Sequence, residues 1–151
     1  MIRTDTKILI NRPVEEVWDY FIDNENVPRW ALGILEMRYI TEGPMQVGSR
    51  SAWTQTFLGK RMDSIVETTE YEPYKHITFK AITSPVPFTY RYTFEPNDGG
   101  TYLTVYLEGE PGAFFKLAEP VLSMTANRQL RNSFENLKDL IEAEAPVPVH
   151  A

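Results

Sequence analysis

The sequence has no cysteine and only 2 histidines in 151 residues. Without cysteine there is no disulfide, no thiol nucleophile and no thiolate metal site. With histidine this scarce, no metal site is expected, and nothing calls for a cofactor. Basic residues are in deficit: 15 Lys and Arg stand against 21 Asp and Glu, a formal charge of −6. That balance argues against a nucleic-acid partner, which needs clustered cations to neutralise phosphates, and against a polybasic membrane anchor. No run of about 18 apolar residues occurs, so no stable membrane insertion is expected. The first ten residues mix Arg3, Asp5 and Lys7 without a hydrophobic signal region, and a cytoplasmic location is the expectation. HExxH, Walker A, GxGxxG, GxSxG and EF-hand patterns are all missing, which removes the common catalytic scaffolds. Internal repeats and linker-like stretches are missing too.

What the chain has in excess is rings. It carries 3 Trp, 8 Tyr and 8 Phe, more aromatics than basic residues. At 42% hydrophobic and 24% charged residues it has the composition of a globular protein. The length suits one domain, read as 1–145, with a fraying tail at 146–151. So many rings in so short a chain imply either a very aromatic core or an aromatic-lined cavity.

The order of elements begins with a strand over Arg3 to Ile10. Pro13 with Glu15 and Glu16 then announces a helix, and Val14, Val17, Trp18 and Phe21 share one of its faces. A second helical turn is expected from Val27 to Ala31. From Gly33 the period changes to two, and turn residues delimit six strands near 34–41, 49–58, 61–71, 76–83, 88–95 and 101–109. Asp98–Gly99 is the strongest tight-turn signal. The facing of strand 61–71 is ambiguous. After Pro111–Gly112 the period becomes helical again. Either a helix over 114–143 kinks at Pro120, or Pro120 opens the main helix. Leu130, Phe134, Leu137 and Ile141 form its clean stripe. This order predicts an α+β fold in which a seven-stranded curved antiparallel sheet wraps around one long C-terminal helix, after two short helices. One helix cannot fill such a sheet, so a space is expected between them.

Several segments carry a family resemblance: Ile10–Asn11–Arg12–Pro13–Val14–Glu15–Glu16–Val17–Trp18, Gly43–Pro44, Val47–Gly48–Ser49–Arg50, Thr69–Glu70–Tyr71–Glu72–Pro73, Arg91–Tyr92–Thr93–Phe94–Glu95–Pro96 and Leu137–Lys138–Asp139–Leu140–Ile141–Glu142. With these, nearly the whole chain resembles the START-like helix-grip superfamily (SRPBCC), within it the polyketide cyclase/dehydrase and lipid transport group. The resemblance implies the helix-grip fold and an internal cavity for a lipid, quinone or polyketide-like molecule. It implies no particular reaction.

Trp53, Gln55 and Phe57 alternate on one strand, Phe88, Tyr90, Tyr92 and Phe94 on another, and Ile77 and Phe79 on a third. On a concave face they would present rings, one amide and two phenols. A dry core rarely chooses Gln and two Tyr together, because each polar tip needs a partner. The plainer reading is a packed core whose hydroxyls reach backbone carbonyls. Leu117, Val121 and Met124 share a face of the last helix, and Arg128 continues it one turn on, where it could pair with an anionic head group. Ordinary packing and a solvent-exposed Arg are the alternatives. Trp30 is placed at an entrance rim with Ser84 to Pro87, and Leu32–Gly33 is expected to gate it. Trp18, Phe21, Phe134, Leu137 and Ile141 are assigned to the core, and Tyr102 and Tyr106 to the outer face. His76 is expected to face solvent. Glu67 and Glu70 cannot share a strand face, and Glu108 and Glu110 lie at a strand end in water.

Three functions stay open. The first is binding of a hydrophobic or aromatic small molecule by a monomer or weak homodimer. The second is a metal-independent cyclase, dehydratase or isomerase, with no catalytic residue identifiable. The third is an interaction or chaperone-like module.

Overall fold

The computed structural model describes residues 2–57, 59–110 and 119–144. Its elements in chain order are β1 (Ile2–Ile10), α1 (Val14–Ile22), α2 (Val27–Trp30), β2 (Ile34–Tyr39), β3 (Arg50–Phe57), β4 (Lys60–Glu72), β5 (His76–Thr83), β6 (Phe88–Asn97), β7 (Gly100–Gly109) and α3 (Glu119–Ala143). The seven strands form one antiparallel sheet in the order β1-β7-β6-β5-β4-β3-β2. β2 to β7 are a meander, and β1 returns to the far edge beside β7. α3 fills the concave side, giving the seven-stranded helix-grip architecture.

Local chemistry explains these elements. Pro13 caps α1 with φ −59°, and Glu15 and Glu16 meet the positive end of its dipole. Val14, Val17, Trp18 and Phe21 are the buried face of α1. Asp98 and Gly99 both take positive φ, +48° and +82°, which is what a two-residue hairpin between β6 and β7 requires. The sheet curves where its ladders slip: between Ile34 and Glu36 in β2, and at Ile65/Val66 and Thr68/Glu70 in β4. These bulges also hid the facing of β4. Ser64, Val66 and Thr68 point into the core, and the alternation breaks beyond them.

Pro120 is the second described residue of α3, so the choice between a kink and a helix start there falls on residues outside those described. The residues before Glu119 lie outside the described residues. The stripe Leu130, Phe134, Leu137 and Ile141 is buried. Extended toward the N-terminus, the same face continues through Ala126 and Leu122. Val121 and Met124 are 60% and 64% exposed, and Arg128 is exposed as well. These three were expected on the inner face and are not there. Arg128 is two residues from both Ala126 and Leu130, roughly 200° around a helix of 3.6 residues per turn. No helix among the described residues is long and apolar enough to cross a membrane.

The remaining polar candidates are on the outside. His76 is partly exposed and pairs with Glu72 at 3.2 Å. Glu67 pairs with Arg50, and Glu70 accepts from Thr78 and pairs with Arg91. Lys7 stacks over Tyr102 at 4.3 Å on the convex face.

Candidate functional site: a neutral cavity between sheet and helix

The rings of the concave face form one network. Trp53 contacts Phe79, Phe88 and Tyr90; Tyr90 stacks on Tyr92 with centroids 5.9 Å apart; and Phe21 meets Trp30, Tyr92 and Phe94. Toward the C-terminal half of α3 this network is closed by Phe134, Leu137 and Ile141. Toward the N-terminal half the described residues leave a cavity of about 120 Å³.

The sheet contributes Gln55, Thr56, Met62, Phe88, Tyr90 and Tyr92 to its wall, with Ile2, Leu107 and Gly109 at the β1–β7 edge. The segment Trp30 to Ile34 and Val86 close it from two sides, and α3 supplies Ala126, Gln129, Leu130 and Ser133. No Asp, Glu, Lys, Arg or His is among these residues. A second space of about 30 Å³ lies beyond Trp30, Ile34 and Tyr92, which line both, and is bordered by Met37, Met45, Trp53 and Phe79.

The five candidates Trp30, Gln55, Phe88, Tyr90 and Tyr92 therefore meet at the larger cavity. Trp53 and Phe79 border only the smaller one. Phe57 ends β3, but its side chain lies outside the described residues, as does Leu117. Val121, Met124 and Arg128 are not part of either wall. The sequence reading missed Gln129, Ser133 and Ala126. Running the Leu130–Phe134 face one turn back along α3 would have found them.

The segment before β2 is held firmly. Leu32 N–H donates to Ser133 Oγ at 2.9 Å, Gln129 Nε2 donates to the Leu32 carbonyl at 2.7 Å, and Thr56 N–H donates to the Gly33 carbonyl at 2.6 Å. Gly33 has φ +87°, and a Cβ there would collide with Gln129 Nε2 and the Thr56 carbonyl. The expected gate at Leu32–Gly33 is thus a strap hydrogen-bonded to both α3 and β3.

The polar atoms of the cavity are neutral. Burial pushes the Tyr90 phenol up to about 12 and the Tyr92 phenol well above its ordinary value, with the neighbouring Tyr90 adding to the latter. Tyr90 is half-buried and lines the cavity. Both phenols are protonated at neutral pH and act as hydrogen-bonding groups. Gln55 is buried, and its Oε1 accepts from Ser64 Oγ at 3.3 Å. Trp53 Nε1 donates to Ser51 Oγ at 2.9 Å, whereas Trp30 Nε1 is buried with no protein acceptor.

The family model "Polyketide cyclase / dehydrase and lipid transport" matches residues 1–142. The chain belongs to this family. Solved structures of the same fold include a protein from Thermus thermophilus, with a TM-score of 0.82 at 16% identity, covering 95% of this chain and 99% of that one. A START superfamily protein from Mycobacterium smegmatis gives a TM-score of 0.78 at 15% identity, covering 95% and 99%. A conserved protein from Geobacillus kaustophilus gives 0.77 at 20% identity, covering 94% and 96%. At these identities the likeness shows the fold. No curated protein sequence matches the chain. Within the polyketide cyclase/dehydrase and lipid transport family, then, this member is distinguished by what its own cavity offers.

Proposed function

We propose that this member of the family binds a small, neutral, ring-containing molecule in the cavity between β6, β3 and α3. The observation that carries the reading is the wall itself: rings and aliphatic side chains, with an uncharged polar set of Gln55, Tyr90, Tyr92, Gln129 and Ser133. Among the described residues nothing offers a counter-charge there to an anionic or cationic ligand group. Size narrows the class. A cavity of about 150 Å³ lined by apolar side chains is known to admit benzene, whereas drug-sized ligands need roughly 300 Å³ or more. At about 120 Å³ the space suits one ring and not a multi-ring polyketide or a full acyl chain.

The family description also names cyclisation and dehydration. General acid–base work at neutral pH needs a group that titrates near 7. The titratable groups on this wall are two phenols held above their usual range, so they orient a ligand through hydrogen bonds. That favours binding over proton transfer. An interaction module would instead have a filled core, which the cavity argues against.

Toluene is the simplest probe. Titrated into the protein, it should give saturable NMR shifts of the Val86, Leu107 and Leu130 methyl groups, and none at Leu137 or Ile141. Absence of saturable shifts up to the solubility of toluene, or shifts confined to the exposed surface, would overturn the reading.

A further inference from the structure

The two edges of the sheet are finished differently. β1 packs against α3, and side chains of that helix reach the end of the strand. Lys138 Nζ donates to the Leu9 carbonyl at 2.8 Å, and Glu142 Oε2 accepts from Asn11 N–H at 2.8 Å. β2, at the opposite edge, pairs only with β3. Ile40 N–H donates to the Arg50 carbonyl at 2.9 Å, and the pairing runs without a slip from Glu36 to Tyr39. In an antiparallel ladder alternate residues bond to a given neighbour. Glu36 and Arg38 therefore bond to β3, and Met37 and Tyr39 turn their N–H and C=O groups outward. Among the described residues none donates to or accepts from these outward groups. An edge in this state is a template for one more strand.

We propose that β2 pairs antiparallel with β2 of a second copy of this chain, about a two-fold axis at Met37. The two Met37 residues then exchange N–H···O=C bonds, and Glu36 stands opposite the partner's Arg38. By symmetry Arg38 stands opposite the partner's Glu36, which gives two ion pairs from one contact. Charge selects this register. Moving the axis one residue either way keeps the outward bonds in phase. It then sets Glu36 against the partner's Glu36, or Arg38 against the partner's Arg38, and like charges directly opposite are destabilising. Glu36 and Arg38 are both exposed and have no ion pair among the described residues. The same register brings Tyr39 opposite Leu35 of the partner subunit, and both are large apolar side chains left exposed in the single chain. The match is of β2 to its own sequence, which makes a second copy the partner. The inference does not depend on what the cavity binds.

A junction of two short strands buries less than the roughly 1,200 Å² of a stable interface, so the dimer is weak, with a dissociation constant of about 10 μM to 1 mM. Sedimentation equilibrium of the wild type across that range should show it. Arg38→Glu and Glu36→Arg each turn two attractive pairs into two repulsive ones and should raise the constant at least about tenfold. Mixed in equal amounts, the two variants should associate again, within about threefold of the wild type, because one supplies acids and the other bases at both positions. That recovery also shows that both variants are folded. A wild type that stays monomeric throughout the range overturns the inference. So does a dimer whose constant neither substitution moves, and so does a loss in both variants that mixing does not recover.

Discussion

Of the three buried tryptophans, Trp30 and Trp53 border the two spaces and offer a measurement of how polar groups are satisfied there. Trp30 and Trp53 are 4% and 3% exposed, so replacement by Phe removes nearly the same packed surface from each. Their N–H groups differ. That of Trp53 is bonded to Ser51 Oγ at 2.9 Å, and that of Trp30 meets no protein acceptor. Trp53→Phe loses a net hydrogen bond of about 0.5–1.5 kcal/mol and leaves the Ser51 hydroxyl buried with one partner fewer. Trp30→Phe removes a buried donor whose desolvation is uncompensated within the chain, worth about 1–3 kcal/mol in the opposite direction. The loss of ring volume is common to both and cancels in the difference. Trp53→Phe should therefore be the more destabilising by about 1.5–4.5 kcal/mol, measured by urea denaturation of ligand-free protein with unchanged m-values. Equal destabilisation by the two substitutions in the ligand-free protein would refute the account of Trp30 as an unsatisfied donor.

Three other outcomes follow from the same geometry. Leu137, fully buried on α3, should cost about 2–5 kcal/mol as Leu137→Ala, while Met124→Ala on the exposed face should stay within about 0.5 kcal/mol; equal costs in urea melts would contradict the helix phase. Tyr90, whose phenol is raised to about 12, contributes stability that is complete below pH 10 and is lost as pH rises toward 12, because the unfolded chain ionises first. The loss is at most about 2–3 kcal/mol, and Tyr90→Phe should flatten the decline measured between pH 9.5 and 11.5. Ala126→Leu places a larger side chain against the cavity wall; it should raise stability by about 0.5–2 kcal/mol and abolish toluene shifts, and a destabilised variant that still binds toluene would show that the space lies elsewhere.

Much of the fold was legible because its signals are local. Proline and acidic residues mark the start of α1, Asp98–Gly99 marks a hairpin, and Phe88, Tyr90, Tyr92 and Phe94 alternate without interruption. The failures also have local causes. β4 carries two register slips, so no single alternation runs through it. The first half of α3 misled because its apolar residues Val121 and Met124 are exposed, while its inner face is marked by Ala126, which says little about burial. The site was legible where side chains are large, as at Trp30, Gln55, Phe88, Tyr90 and Tyr92. It was not legible where it depends on pairings distant in sequence. Ser64 meets Ser84 across a separation of 20 residues, and Gln129 meets Leu32 across 97.

The aromatic surplus and the cavity have one explanation. Large rings alone would close the concave face, as they do where Phe134, Leu137 and Ile141 meet Tyr92, Val105 and Leu103 in a continuous core. At the other end the wall around Phe88, Tyr90 and Tyr92 mixes large side chains such as Met62, Leu107 and Leu130 with small ones at Ala31, Gly33, Ala126 and Ser133. The small ones leave part of the space under a curved sheet unfilled, and the strap at Leu32 and Gly33 is bonded to α3 and β3 in a way that keeps it from collapsing inward. An interior gap of this kind leaves its lining short of packing partners and costs stability relative to a filled core. The residues that would remove this cost with one larger side chain are the same ones that leave room for a ring, so the small side chains on this wall are as much a part of the site as the tyrosines.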